Sequence, residues 1–150
     1  MAKDSIIQLW EDYRKTNPHA PAHYEAWAFG DSKEMADQLA ELVLEGRKTA
    51  TSSYYTIYEW ENESLPNSGL HNIILDGNGE AVAIMETTSV KVVPFDEVTE
   101  EHAFMEGDRT LRYWREVHES FFRKELKEIN QDFHYKIPVV CERLKLLYKK

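Results

Sequence analysis

Cysteine is almost missing from this sequence: Cys141 is the single one in 150 residues. No intramolecular disulfide can form, and no thiolate pair has metal-ligand spacing. Long apolar runs are missing too. The longest, around Asn72–Leu75 and Ala81–Met85, are far too short to cross a bilayer. Met1-Ala2-Lys3-Asp4 begins no apolar stretch of the secretory kind, so a cytoplasmic, membrane-free protein is expected. Cations are in short supply: 18 Lys and Arg stand against 27 Asp and Glu, a net charge of −9. Gripping a nucleic-acid backbone along a broad face needs the opposite balance. A small, weakly charged ligand fits better, and any RNA contact would have to be local. Repeats and low-complexity linkers are absent as well, so residues 1–150 read as one domain with room for a hydrophobic core.

Periodicity supplies the elements. Ile6 to Lys15 is predicted as a helix with Ile6, Ile7, Trp10 and Tyr13 on its apolar stripe, ended by Asn17-Pro18-His19-Ala20-Pro21. Tyr24 to Phe29 reads as a short extended stretch broken by Gly30. Asp31 with Glu34 forms a capping-box pattern for a helix carrying Met35, Leu39, Leu42 and Val43. Gly46 stands where a left-handed residue ends that helix, with Arg47 and Lys48 beside its negative end. From Thr49 to Glu61 the expectation is a short strand through Ala50 that turns into a helix capped near Thr51 or Ser52. His71–Leu75 and Glu80–Val93 are strands joined by the hairpin turn Asp76-Gly77-Asn78-Gly79. A helix opened by Asp96 or Thr99 runs to Gly107, a longer one covers Thr110 to Ile129, and Pro138 to Leu147 is a final strand. This order lacks regular βαβ alternation and predicts a mixed α+β domain with a small curved sheet or barrel.

Three places can carry chemistry. Lys48 and Thr51 are three apart; a lysine that has shed its proton can activate a threonine hydroxyl as nucleophile. A regular strand would separate their side chains, so this use needs an irregularity between them. The alternative is a plain C-cap at Gly46-Arg47-Lys48 and an N-cap at Thr51. His102 and Glu106 are four apart and share a helix face, flanked by Val98 and Met105. A carboxylate there can hold a cation such as Lys48, or the pair is an ordinary surface contact. No second pair with ligand spacing accompanies it, and no metal or cofactor is expected. Glu86 interrupts an apolar strand on the side of Val82 and Ile84, where an inward carboxylate needs a partner or faces solvent. His118 shares a stripe with Leu111, Trp114 and Phe121, the pattern of a satisfied core histidine. Trp27, Tyr54, Tyr55, Tyr58 and Trp60 can stack on a base or pack a core.

Gly46-Arg47-Lys48-Thr49-Ala50-Thr51 resembles the G-x-K-T-x-T segment of the ASCH domain family. Further stretches are similar in order and spacing to the larger bacterial ASCH subfamily. These are Ala28-Phe29-Gly30-Asp31, Leu65-Pro66 with Gly69, Ile84-Met85-Glu86-Thr87-Thr88, Phe95-Asp96-Glu97-Val98, and Glu106 to Leu111 running into Trp114-Arg115. The resemblance covers Trp27 to Phe122. It implies a PUA-like fold, a small mixed β-barrel flanked by helices, here with an added N-terminal helix. Small bacterial members of the family include amidohydrolases that deacetylate N4-acetylcytidine, and others are ribonucleases. By that likeness Lys48, Thr51 and Glu106 form the catalytic set, with Glu106 orienting Lys48 and passing a proton to the leaving nitrogen. Glu86, Arg47, Trp27 and Tyr55 are the expected substrate-binding residues. The rival expectation is an RNA-binding protein or ribonuclease, with Lys48, Arg47 and Arg109 as a local basic rim.

Overall fold

The computed structural model describes residues 2–107 and 110–150; Asp108 and Arg109, and with them that part of the expected basic rim, lie outside the described residues. Five strands form one sheet in the order β1-β3-β4-β5-β2. They are β1 (Glu25–Ala28), β2 (Ala50–Tyr54), β3 (His71–Leu75), β4 (Ala81–Pro94) and β5 (Pro138–Lys149). The β1–β3 pair is parallel and the other three pairs are antiparallel. The register of the long β4 shifts at Ile84/Met85 and again at Thr87/Ser89. Bulges bend a strand and increase its twist, and the sheet curls into a half-barrel whose two edges are β1 and β2.

Helices cover the sheet on several sides. Helix α1 (Ala2–Thr16) packs Leu9, Trp10 and Tyr13 against Ile73, Ala81 and Ile84. Its buried stripe is Ile6, Leu9, Trp10, Tyr13, an i, i+3, i+4, i+7 series; Ile7 falls outside that series and is 48% exposed, contrary to the expected stripe. Helix α2 (Lys33–Leu44) seats Val43 with Phe29, Ile74, Ala83, Met85 and Leu144. Its N-cap is Ser32, whose hydroxyl accepts from Met35 N, and not Asp31. Asp31 instead meets Lys124 across a 3.4 Å ion pair.

The segment after α2 is the largest departure from expectation. All five residues from Ala50 to Tyr54 pair with β5, so the strand outlasts the predicted turn. The following helix α3 (Tyr55–Glu61) starts after Tyr54, with neither Thr51 nor Ser52 as its cap. Pairing with β5 holds Tyr54 in the strand, while Ile57 and Tyr58 lie in α3.

Beyond β4, a 3-10 turn (Phe95–Glu97) leads to α4 (Glu100–Met105), capped by the Thr99 hydroxyl on His102 N. Helix α5 (Leu111–Glu128) is capped the same way by Thr110 on Tyr113 N. Trp114, Phe122 and Leu126 of α5 close a core with Tyr54, Phe95, Val98 and Val139.

Two glycines set the turns that flank the later site. At the end of α2, Gly46 N donates to Val43 O and Arg47 N to Leu42 O, the hydrogen-bond pair of a Schellman motif, with Gly46 at φ 77°. After α4, Gly107 sits at φ 92°, and a Cβ there would stand 2.8 Å from Leu42 Cδ1. Nothing lies within 4 Å of a Cβ placed at Gly46. Both replacements by alanine meet left-handed strain, on the order of 1 kcal/mol, and Gly107→Ala adds the collision with Leu42. Urea unfolding should therefore show Gly107→Ala losing more stability than Gly46→Ala; equal losses would contradict this account of the corner.

Candidate active site

Lys48 is placed by the backbone on both sides of it. Lys48 N donates to Leu42 O, tying it to the end of α2. Thr49 N then donates to Met105 O and Thr49 O accepts from Leu144 N, which pins the next residue between α4 and β5. Lys48 precedes β2, so strand alternation does not decide its direction. Its side chain is 3% exposed, with Nζ donating to Ala50 O at 2.9 Å and to Glu106 O at 3.2 Å. Nζ also lies 3.6 Å from Glu106 Oε1 and 4.6 Å from the centre of the Phe29 ring.

Glu106 is the centre of the cluster, at 4% exposure. Two i,i+4 pairs meet there, His102 with Glu106 from α4 and Trp114 with His118 from α5. Trp114 Nε1 and Ser52 Oγ each donate to Glu106 Oε2 at 2.5 Å, and His102 Nε2 lies 2.9 Å from the same oxygen. Oε1 faces Lys48 and, at 3.4 Å, His118 Nε2. His118 stacks on Trp114 with ring centres 4.2 Å apart, and its Nδ1 donates to Trp114 O at 2.8 Å. Burial alone would raise the Glu106 carboxyl. Lys48, His102 and His118 together outweigh it and hold the group well below the usual carboxylate range. Glu106 is thus an ionised acceptor.

Ser52, His102 and Glu106 do not form a hydrolase triad despite the 2.7 Å contact between Ser52 Oγ and His102 Nε2. In a triad the carboxylate holds the imidazole nitrogen opposite the one facing the hydroxyl. Here both Ser52 and Glu106 contact Nε2.

The cluster opens into a cavity of 1310 Å³ on the open side of the half-barrel. Its walls include Ala26, Trp27 and Ala28 of edge strand β1 and Thr51, Ser52 and Ser53 of edge strand β2. An edge strand is unpaired along one side, which lets one cavity reach side chains of both its faces. Lys48, Thr51, Glu106 and Trp27 all line this space. Thr51 Oγ1 forms no hydrogen bond among the described residues, whereas Ser52 is committed to Glu106 and His102.

The other expected contacts stand elsewhere. Glu86 lies on the α1 side of the sheet, paired in register with His71 and close enough to raise the Tyr13 hydroxyl, after burial itself. Glu86 shares a face with Ile84, as alternation predicts, but α1 covers that face; Thr87, on the other face, reaches Asn72 and Glu142 of the cavity wall. Arg47 is exposed and pairs with Glu45 at 3.5 Å, and Tyr55 lines a separate pocket beside Tyr58 and Glu59. Sequence reasoning passed over Ser52, Asn72, Trp114 and Glu142. A carboxylate alternating with Val140 and Leu144 in β5 was the signal available for the last of these.

A curled mixed sheet with flanking helices and a polar cleft at its open edge is a PUA-like fold. Residues 25–148 match the model of the ASCH domain family, and the chain belongs to that family; α1 precedes the matched region. A crystal structure of a protein from Enterococcus faecalis V583 is similar, with 37% identity over 96% of this chain and 88% of that one, and a TM-score of 0.91. The ASCH domain from Lactobacillus crispatus JV V101 is 27% identical over 95% of this chain and 94% of that one, with a TM-score of 0.90. No curated protein matches the chain.

Removing one partner of a buried ion pair strands the other, at a cost of about 3–5 kcal/mol. Lys48→Met should lose about that much in urea at neutral pH, and Lys48→Met/Glu106→Gln should recover a large part of it. A double variant as unstable as the single one would show that Glu106 was not left unpaired. The sign with pH follows from the lowered folded-state value. The Glu106 contribution is complete above the ordinary carboxylate value of 4.5 and drains away as acid carries the pH down through the folded-state value. Glu106→Gln should flatten that acid limb of the stability curve; an unchanged limb would assign it to other carboxylates.

Proposed function

We propose that the protein is an amidohydrolase acting on an N-acylated nucleoside such as N4-acetylcytidine. One observation carries the reading: Lys48 and Thr51, three apart in the chain, and Glu106, from a distant segment, line a single cavity, with Lys48 and Glu106 paired and buried. Thr51 Oγ1, without a hydrogen bond among the described residues, is the nucleophile. The Lys48 ammonium first releases a proton to solvent; the amine then takes the Thr51 proton, and the oxygen adds to the acyl carbon to give an acyl-enzyme that water then hydrolyses. Glu106 holds Lys48 in place through the buried ion pair. Ser52 is the less suitable hydroxyl, since its proton is already directed to Glu106.

Trp27 provides the surface for a heteroaromatic ring. Its Nε1 donates to Asn72 Oδ1 at 2.9 Å, and its ring meets Phe29 edge-on at 4.6 Å, so both ends of the indole are fixed. The charge around the cavity supports a small neutral ligand over a polyanion. Exposed Glu25, Asp31, Glu63 and Glu116 belong to its wall, against Lys124 and the buried Lys48. Glu125 in the same wall has its carboxyl raised by burial and then by Glu128, Asp31 and Glu61, a sign of crowded negative charge. RNA phosphates would be repelled there.

Incubation with N4-acetylcytidine should release acetate and cytidine with little dependence on salt. Thr51→Ala and Lys48→Ala should each retain less than about 1% of that turnover while remaining folded. Full activity of either variant would rule the mechanism out, and salt-sensitive RNA binding without turnover would favour the RNA-binding alternative.

A further inference from the structure

Glu142 has no part in the steps above, yet a hydrogen-bond chain of fixed direction ends on it. Trp27 Nε1–H can only donate, so Asn72 must present Oδ1 to it. Asn72 Nδ2 then donates to the carbonyls of Leu70 and Met85 and, at 3.0 Å, to Thr87 Oγ1. Having accepted there, the Thr87 hydroxyl spends its own hydrogen on Glu142 Oε2 at 3.2 Å. Oε2 is therefore an acceptor, and no hydrogen bond reaches Oε1 among the described residues. The side chain is 6% exposed and lines the cavity.

Its place in the sheet gives that open oxygen a use. Glu142 is the direct cross-strand partner of Thr51 in the β5–β2 ladder. Opposed residues of an antiparallel pair point to the same face, with Cβ atoms about 5 Å apart. Glu142 thus stands beside the hydroxyl assigned as nucleophile. Glu106 is differently equipped, since donors occupy both of its oxygens and it has no proton to give.

We propose that Glu142 is the general acid that protonates the leaving nitrogen and the base that later activates water. The proposal rests on the amide-hydrolysis reading given above. In acylation the bond from Thr51 Oγ1 to the acyl carbon forms, and the Thr51 proton passes to the Lys48 amine. The carbon–nitrogen bond breaks as Glu142 Oε1–H delivers its proton to the nitrogen. In deacylation water adds to the ester and gives a proton to the Glu142 carboxylate. The Lys48 ammonium returns its proton to Thr51 Oγ1, the carboxylic acid leaves, and every group is restored. Burial pushes the Glu142 carboxyl up, against the hydrogen bond from Thr87, in keeping with a group that must begin protonated.

The test compares two leaving groups in Glu142→Gln, which keeps the side chain's size. N4-acetylcytidine needs a proton on its departing nitrogen, whereas 4-nitrophenyl acetate releases a stable anion that needs none. Turnover of the amide should fall about 100-fold. The pre-steady-state burst of 4-nitrophenolate, counting only the part abolished by Thr51→Ala, should change less than about threefold. A purely structural role for Glu142 would lower both together, and that result would overturn the proposal, as would unchanged amide turnover. If the wild-type protein hydrolyses neither compound, the amidohydrolase reading itself fails and Glu142 loses its role with it. If the wild type is active and only the Glu142 result is wrong, that reading stands.

Discussion

The Glu106 carboxylate, buried and ionised, is the constraint on which the site's architecture depends. A lone carboxylate at that depth would cost several kcal/mol. Five side chains offset the cost, and they come from separate parts of the chain: Lys48 before β2, Ser52 on β2, His102 on α4, and Trp114 and His118 on α5. Satisfying one charge therefore fixes the end of α2, the free edge of the sheet and the corner between α4 and α5 relative to one another. Gly46 and Gly107 allow the two chain reversals that bring these segments together. Such a network is costly to satisfy in part, because each donor removed leaves the rest of the charge buried.

The open edge of the half-barrel turns this buried charge into a site. Strand β2 pairs with β5 along one side only, so Thr51 can face the cavity wall that carries Glu142 while Ser52 points back to Glu106. The two neighbouring hydroxyls are thereby divided, one fixed into the scaffold and one without a hydrogen bond among the described residues. The second carboxylate is held differently from the first. Glu106 is saturated with donors and depressed; Glu142 receives one hydrogen bond, is raised by burial, and keeps an oxygen open. Two carboxyls pushed in opposite directions within one cleft match the division of labour that acyl transfer requires.

Much of this was legible from residue spacing. The Schellman turn at Gly46, the Asp76–Gly79 hairpin, the long helix after Thr110 and the His102–Glu106 face all follow from local rules, which act over a few residues and need no knowledge of the fold. The misplaced features depend on pairing between distant segments. Whether Ala50–Tyr54 is strand or helix is decided by β5, some ninety residues away in the chain. Alternation places Glu86 with Ile84, but which sheet face is covered and which opens to the cavity is decided by where α1 docks, far away in the chain. Ser32, not Asp31, caps α2, although both residue types are good caps, and Asp31 meets Lys124 of the distant α5 instead. His118 had the spacing of a core histidine; it stacks on the core residue Trp114 but lines the cavity, and its Nε2 completes the Glu106 cluster.

The most direct measurement is to quench the reaction with N4-acetylcytidine at short times, digest the protein and locate the acyl group by mass spectrometry. The account predicts an acetyl ester on Thr51, formed and lost at rates that support turnover. An ester on Ser52, or active turnover with no acylated peptide at any time, would contradict it.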